Sequence, residues 1–444
     1  MATVIKKKRG AIDFRLLLSL DTAAFYLYFL LICIPGIARV GDIGLSILIF
    51  PAIILGYGKS SLDFLHRVLP GARNLLFALL LIIGVYSIWS LITAFGVSSF
   101  LRVFRPLYGH ASGIGLVLAV FALSRTRQSA EQTRNATMTL FCVVMGASLF
   151  AGVGHYGDRL PGFFKHPNQL GVVAAMASTY YICCMIARGF RSMPANAGAF
   201  ICTAALFLSG SKTNLLAVGG IAAVSVLVIA LQNRNPKVAI LAAVRDYAAV
   251  IILVTIAIPV LAIVNVRASS VLGDIFGGDE DVTEYGTVVA RQGLWSMSWD
   301  SFTNSPVFGV GAGQRLENGV EHSHNIFMDS LRTIGFPGFA LIAAFILIVI
   351  FYILSSISVG RALQNDPRSP LADPDSRGPF VGSLMAMTSY LISNQMSDSF
   401  GPSTLPFFYL FLGFSAYFLS RSVPSGVATR TGPPGFGRYG STER

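Results

Sequence analysis

Long apolar runs separated by short polar segments dominate the chain from residue 22 to residue 420. Many of these runs approach the roughly 20 residues that an α-helix needs to cross the hydrocarbon core of a bilayer. Lipid offers no partner for backbone amide groups, so a run of this kind is stable there as a helix. The pattern predicts twelve spans, at residues 22–38, 43–58, 75–95, 111–124, 136–153, 169–187, 197–209, 213–231, 247–264, 336–357, 380–397 and 405–420.

The composition supports the same class of protein. The 444 residues are 54% hydrophobic and 12% charged, whereas a soluble domain carries about 25% charged residues. We therefore expect an all-α polytopic membrane protein with about twelve transmembrane helices and a large outer loop that contains short helices. Its predicted parts are a membrane bundle of about nine spans, an extracytoplasmic loop, a second group of spans and a disordered tail, at residues 1–264, 265–335, 336–420 and 421–444.

The basic residues predict the orientation of the chain. Cytoplasmic loops of membrane proteins carry an excess of Lys and Arg. With both termini in the cytoplasm, 23 of the 33 basic residues fall on the cytoplasmic side. Topology thus explains the net charge of +12, and no nucleic-acid partner is needed to account for it.

The remaining ten basic residues oppose this bias and are the informative ones. Each could contact a lipid headgroup or water, or could bind an anionic substrate. They are Arg39, Arg102, Arg105, Arg159, Lys165, Lys212, Arg267, Arg291, Arg315 and Arg332. Five of the six histidines fall on the same predicted side, namely His110, His155, His166, His322 and His324.

Two short outer segments lie between spans. In "LSGSKTNLL", Lys212 either extends to the membrane interface or faces a polar cavity, because ionisable groups near membrane depth usually line one. In "DRLPGFFKHPNQLG", His166 precedes a proline and is predicted to be extended. Asn168 is a candidate N-cap of the next helix. Two interpretations of this segment remain open. It is either a simple loop that ends in a helix cap, or a segment that contacts the substrate.

The large outer loop divides into two parts. "GDIFGGDEDVTEYG", residues 273–286, is acidic but lacks the ligand spacing of a calcium loop, so we expect a mobile segment. In the part that follows, Trp295, Trp299 and Phe302 recur at helical spacing, with Arg291 near the start of that predicted helix. Packing against the bundle or the lipid interface also explains this aromatic stripe.

"VEHSHNIFMDSLRTIGFPGF", residues 320–339, gathers titratable groups just before an apolar run. Asn325 is a candidate N-cap for a short interfacial helix, which places His324 at the start of that helix. His322 and His324 alone make a weak metal site, because zinc needs further ligands. We expect neither a metal ion nor another cofactor.

Several of these motifs, in this order, resemble a known family. The pattern R(x)₁₇GVGAG(x)₈HSHNIFMDSLRTIGFPG is similar to the signature of the O-antigen ligase and Wzy-type polysaccharide polymerase superfamily. "GFFKHPNQLG" and "LSGSKTNLL" resemble two further stretches of that family. The resemblance implies a glycosyltransferase whose donor is a glycan on polyprenyl diphosphate in the outer leaflet of the bacterial inner membrane.

The resemblance also implies roles for individual residues. Arg291 matches the family's essential loop arginine, and His324 matches its histidine. Lys212 stands where many members have arginine, which keeps the charge but loses the bidentate fork. The further candidate substrate-binding residues are Arg315, His322, His166, Asn168 and Asn325.

Three functions remain as hypotheses. A polymerase joins a glycan chain to another lipid-linked repeat unit, and a ligase moves the finished chain to a lipid A core. We favour the polymerase, because the "GFFKHPNQLG" form resembles exopolysaccharide-production members. A transporter would also have about twelve spans, but it predicts ionisable groups within those spans. Expected partners are the lipid-linked oligosaccharide, membrane lipid, and polysaccharide export and chain-length proteins.

Overall fold

The computed structural model describes residues 20–40, 43–95, 100–151, 159–188, 191–231, 288–395 and 403–420, with three single residues between 241 and 248. Twelve α-helices lie in these ranges: α1 (Leu20–Cys33), α2 (Ser46–Leu65), α3 (Pro70–Thr93), α4 (Phe100–Leu123), α5 (Arg127–Ser148), α6 (Pro167–Ala187), α7 (Met193–Leu208), α8 (Lys212–Leu231), α9 (Val288–Asn304), α10 (Ile326–Leu363), α11 (Arg377–Asn394) and α12 (Leu405–Phe418). Two two-residue strands, β1 (Arg39–Val40) and β2 (Ile43–Gly44), pair antiparallel between α1 and α2.

The expected fold class is confirmed: the chain is an all-α polytopic membrane protein. Each predicted span in the described ranges overlaps a helix, but the starts differ by up to 11 residues, at α4, which begins at Phe100 and not at residue 111. Among the residues that the structure describes, five helices are long and apolar enough to cross a membrane, at Ser46–Leu65, Pro70–Thr93, Pro167–Ala187, Thr213–Ala230 and Ile326–Leu363. The ninth predicted span, the acidic segment 273–286 and the tail 421–444 lie outside the described residues.

Helix α6 forms the centre of the bundle and α3 lies at its edge. The most apolar window of α6 is 94% buried, whereas that of α3 is 22% buried. Helix α11 approaches α6 closely, because a Cβ at Gly382 would lie 2.8 Å from the carbonyl oxygen of Tyr180. Small residues at contacts of this kind let membrane helices pack backbone to backbone.

The loops predicted to be cytoplasmic meet at one end of the bundle. Arg127 forms an ion pair with Asp373 at 2.6 Å, and Arg67 donates a hydrogen bond to the carbonyl of Arg125 at 2.8 Å. The other loops also contact one another: the backbone N–H of Gly36 donates to the carbonyl of Phe163 at 2.8 Å. The separation of the loops into two groups, one at each end of the bundle, agrees with helices that alternate in direction along the chain. We call the second end the motif end, because it carries the segments 159–168, 209–212 and 305–335.

The sidedness of the two ends remains a prediction, and exposed positions can test it. Glu317 lies at the motif end and Arg368 at the opposite end, and both are exposed. An impermeant maleimide should label Glu317→Cys in intact spheroplasts and should label Arg368→Cys only after permeabilisation. Four of the five native cysteines are buried, so the unmodified chain provides the background. Labelling of Arg368→Cys alone in intact spheroplasts would reverse the orientation.

Candidate functional site

The side chain of Asn325 starts helix α10. Its Oδ1 accepts hydrogen bonds from the backbone N–H groups of Phe327 at 2.9 Å and Met328 at 3.1 Å. These bonds satisfy two of the amide donors that the first turn of a helix leaves unpaired. The predicted N-cap is therefore confirmed, and it determines where the preceding residue, His324, leaves the loop.

Gly335 divides α10 into a short outer helix and a long apolar one. Its backbone has φ 67° and ψ −171°, a conformation that residues with a Cβ rarely adopt. A Cβ at this position would also overlap the carbonyl oxygen of Val307. Pro337, two residues after Gly335, has no backbone N–H and cannot donate a hydrogen bond to the carbonyl of Thr333. The carbonyls just before the kink therefore need partners from elsewhere in the protein.

The glycine-rich loop and one tryptophan supply these partners. Three consecutive carbonyls accept hydrogen bonds from outside the helix: Arg332 from the N–H of Val310 at 2.7 Å, Thr333 from the N–H of Gly311 at 3.0 Å, and Ile334 from Trp89 Nε1 at 2.8 Å. The N–H of Phe336 donates in turn to the carbonyl of Pro306 at 2.8 Å. The kink thus joins the "GVGAG" loop to the start of α10.

Arg332 supports the loop from inside and is not a surface cation. Its side chain is 1% exposed. Its guanidinium donates to the carbonyls of Gln314 at 2.8 Å and Glu321 at 3.1 Å, and lies 3.5 Å from Asp329 Oδ1. Because these groups hold the guanidinium inside the protein, Arg332 stabilises the loop between residues 309 and 321.

A second set of bonds fixes the turn that carries His324. The buried backbone N–H of Ser323 donates to Asp329 Oδ1 at 2.7 Å, and its carbonyl accepts from Trp295 Nε1 at 3.0 Å. His324 has φ 57°, the one positive φ of a non-glycine residue among those described. Residues held in this region cost free energy and persist where the surrounding structure enforces them, often at functional sites.

Arg291 lies on the helix that contacts this turn through Trp295. It occupies the first turn of α9, one turn before Trp295 on the same face, since residues four apart are neighbours along a helix. The Trp295–Ser323 hydrogen bond therefore brings the Arg291 face of α9 towards His324. The predicted helical spacing of the aromatic residues is confirmed, because all three lie on α9. Trp295 bonds to the Ser323 turn, whereas Trp299 is half exposed. The ring centroids of Trp299 and Phe302 lie 5.4 Å apart.

His322 and Arg315 have acidic neighbours. His322 Nδ1 lies 3.7 Å from the other carboxylate oxygen of Asp329. Arg315 forms an ion pair with Glu321 at 2.8 Å, on the exposed side of the hairpin in which Leu316 and Val320 pair. Both candidate residues therefore have protein partners, and a substrate contact by either remains a prediction.

A second cluster forms where α6 and α8 begin, and there the predicted helix cap was wrong. The N-cap of α6 is His166, whose Nδ1 accepts a hydrogen bond from the backbone N–H of Asn168 at 3.1 Å. Pro167 takes the first helical position, which needs no N–H partner. Asn168 thus lies inside the first turn, and its side chain is available for another bond.

Arg159 joins the start of α6 to the end of α7, three residues before Lys212, and the sequence did not single it out. Its guanidinium donates to Asn168 Oδ1 and, at 3.0 Å, to the carbonyl of Ser209. Burial lowers the pKa of Arg159, but a guanidinium stays protonated at neutral pH. The signal that could have identified Arg159 was its charge on the predicted outer side, which it shares with nine other residues.

Lys212 is the first residue of α8, next to this cluster. The break before it packs tightly on α6: a Cβ at Gly171 would lie 2.7 Å from Ser211 Cβ and 2.9 Å from Ser209 Oγ. Arg159 therefore holds the Lys212 end of α8 against the His166–Asn168 end of α6. The motif end carries two clusters, one around His324 and one around Arg159.

The residues described contain no group of three or more His, Cys, Asp or Glu side chains that could hold a metal ion. The candidate site is instead cationic and imidazole-based, with Arg159, Arg291, His322 and His324 at one end of the bundle.

Comparison with known families identifies a large part of this site. The family model Wzy_C, described as O-antigen ligase, matches residues 197–343. This part of the chain is similar to the O-antigen ligase family. This match confirms the resemblance to the O-antigen ligase and Wzy-type superfamily. No curated protein matches the chain.

The range that matches the family model includes most of the candidate residues. Six lie within the matched range, at Lys212, Arg291, Arg315, His322, His324 and Asn325. His166, Asn168 and Arg159 lie before it, and the structure brings them to its Ser209–Lys212 segment through the bonds of Arg159. The Arg159 cluster is thus half inside and half outside the matched range.

The kink at Gly335 should be essential for the His324 turn. Gly335→Ala places a Cβ in a left-handed conformation and against a carbonyl oxygen, so we expect a loss on the order of 3 kcal/mol and a lower Tm. Gly84→Ala is the control, because Gly84 lies in helix α3 with open space around it. An unchanged Tm in Gly335→Ala would contradict this account of the kink.

His166 should tolerate replacement by another capping residue if capping is its whole role. His166→Ala should lower stability by about 1 kcal/mol, and His166→Asn should restore the Tm, because asparagine caps well. Glycan transfer by the Asn variant then separates the two roles. Normal transfer would limit His166 to capping, and lost transfer at a normal Tm would support the predicted substrate contact.

Proposed function

We propose that this protein polymerises polyprenyl-diphosphate-linked oligosaccharide repeat units at the outer face of the bacterial inner membrane. The acceptor is another lipid-linked unit, and the product is an exopolysaccharide or O-antigen chain. The similarity to the O-antigen ligase family supports a glycan-transferring enzyme of this general kind. The reaction, the donor and the membrane are part of the proposal.

The Trp295–Ser323 hydrogen bond is the observation on which the proposal rests. It couples a helix that carries a guanidinium to a turn that carries an imidazole. The turn is rigid on both sides, with Asp329 bound to the N–H of Ser323 and Asn325 capping α10. Catalytic groups must be held in a defined geometry to lower a barrier, and this arrangement supplies such a geometry.

His324 is assigned the role of general base. It accepts the proton of the acceptor hydroxyl while that oxygen attacks the anomeric carbon of the donor. Histidine suits this step because it titrates near neutral pH. The bond between the anomeric carbon and the phosphate oxygen breaks, and its electron pair leaves with polyprenyl diphosphate.

Arg291 is assigned to the leaving group. The diphosphate gains negative charge in the transition state, and a cation placed there stabilises that charge. A guanidinium can bind two phosphate oxygens through parallel hydrogen bonds. Lys212, held at the start of α8 by the Arg159 cluster, is assigned a second contact with the diphosphate. Arg315, His322, Asn168 and Asn325 are proposed to line or shape the substrate path.

Polymerase and ligase share this chemistry and differ in their acceptor. The polymerase is preferred because the "GFFKHPNQLG" segment is similar to that of exopolysaccharide-production members. A ligase that uses a lipid A core as acceptor is the second candidate, favoured by the description of the matched family model. Export and chain-length proteins are the proposed partners of the polymerase.

Substitutions that keep the backbone test these assignments. Asparagine tolerates a positive φ, so His324→Asn should fold normally and lower the elongation rate on the order of 10²–10⁴-fold. His322→Asn is the matched control and should keep substantial activity. Purified variants with a lipid-linked oligosaccharide, assayed for longer glycans and for Tm, provide the measurement. Equal losses of elongation rate in both variants would contradict the assignment of His324 as the general base.

The assignment of Arg291 to the leaving group is tested by a separate pair of variants. Arg291→Ala should abolish elongation at a normal Tm, and Arg291→Lys should rescue poorly, because lysine lacks the bidentate fork. Chelators should leave activity unchanged. Full activity in Arg291→Ala, or EDTA inhibition that a divalent ion reverses, would contradict the proposed stabilisation of the leaving group by Arg291.

A further inference from the structure

We propose that the loop between α9 and the "GVGAG" segment is a membrane anchor whose tip contacts lipid acyl chains. The tip consists of Val307, Phe308 and Val310, and it continues onto Phe336 at the start of the long part of α10. The inference concerns where this loop lies and does not depend on the proposed function.

The tip exposes large apolar side chains at the motif end. Val307 and Phe308 are each 53% exposed, and Phe336 is 59% exposed. Water disfavours a contiguous patch of this kind, and such patches mark contact with a membrane or another protein. Trp299 on the preceding helix is also half exposed, and tryptophan is enriched where membrane meets water.

The depth of the tip follows from its contact with α3. The ring of Phe308 stacks on that of Trp89, with centroids 5.6 Å apart and planes 15° apart. Trp89 lies four residues before the last residue of α3, which corresponds to about 6 Å along the helix axis. Helix α3 is one of the five candidate membrane spans. The loop tip is therefore level with residues inside that span.

The surroundings of Trp89 identify lipid as the occupant. The exposed side of α3 carries a continuous series of apolar residues that the structure leaves uncovered, at Leu81, Val85, Ile88 and Ile92. In a membrane-spanning helix at the edge of the bundle, such a face contacts acyl chains. The Phe308 ring extends this face directly, so the same lipid reaches the loop.

Several backbone groups of the loop are paired, as hydrocarbon requires. An amide group without a partner costs several kcal/mol in lipid. Here the N–H of Gly309 donates to the carbonyl of Ser305 at 2.8 Å, and Ser305 Oγ donates to the carbonyl of Gly309 at 2.7 Å. The N–H groups of Val310 and Gly311 donate to the freed carbonyls of α10. Irregular backbone at membrane depth is tolerated where it is buried in protein, so the paired backbone lies against α10 while the side chains of the tip reach the lipid.

The anchor sets the depth of the His324 turn. The same hydrogen bonds that close the loop attach it to Arg332 and Thr333, in the short helix that Asn325 caps. That helix is rigidly connected to His324. A lipid-inserted tip thus places the short helix and His324 near the membrane interface.

Site-directed fluorescence can measure the depth of the tip. Val307→Cys is labelled with the environment-sensitive fluorophore NBD, and the protein is reconstituted in vesicles of phosphatidylethanolamine and phosphatidylglycerol. Glu317→Cys, on the exposed hairpin, is the aqueous control, and Leu81→Cys, on the lipid-facing side of α3, is the lipid control. The unmodified chain measures labelling of the native cysteines.

The two quenchers should give opposite results at positions 307 and 317. Lipids with a nitroxide on the upper acyl chain should quench the 307 label, lipids with a nitroxide deeper in the acyl chain should quench the label at position 81, and aqueous iodide should quench the 317 label. Iodide quenching at 307 as strong as at 317 would overturn the anchor. Protection of the 307 label from both quenchers would overturn it too, because a protein partner or second copy would then cover the tip.

Discussion

The motif end depends on three backbone carbonyls that helix α10 cannot pair by itself. The positive φ at Gly335 and the missing N–H of Pro337 interrupt the helix just where it enters the apolar region. A buried carbonyl without a donor is costly, and more so in lipid than in water. The chain satisfies them with the "GVGAG" loop and Trp89. The glycines, the kink and the aromatic contact on α3 therefore act together to pair these carbonyls.

The basic residues at this end have different physical tasks. Arg332 is fully enclosed and satisfies loop carbonyls, so its charge serves structure. Arg159 bridges the start of α6 and the end of α7, three residues before Lys212. Arg291 lies in the first turn of α9, whose packing on Ser323 directs it towards the His324 turn. A count of cations cannot separate these roles, because the roles follow from which oxygen atoms each guanidinium meets.

The sequence predicted the helices and one of the two caps for clear reasons. Apolar length reports a membrane span directly, and Asn325 precedes an amphipathic helix as a good cap should. His166 was missed because asparagine caps far more often than histidine, and Asn168 stood two residues later. The burial of Arg332 could not be predicted, because it depends on carbonyls from residues 314 and 321, which only the folded loop brings together.

The central claim is that the motif end performs glycosyl transfer without an external energy source. The most direct measurement uses purified protein in vesicles with a lipid-linked oligosaccharide, and without nucleotide or ion gradient. The account predicts glycans longer than the substrate, together with released polyprenyl diphosphate. Movement of unmodified lipid-linked oligosaccharide across the bilayer, with no new glycosidic bond, would contradict it.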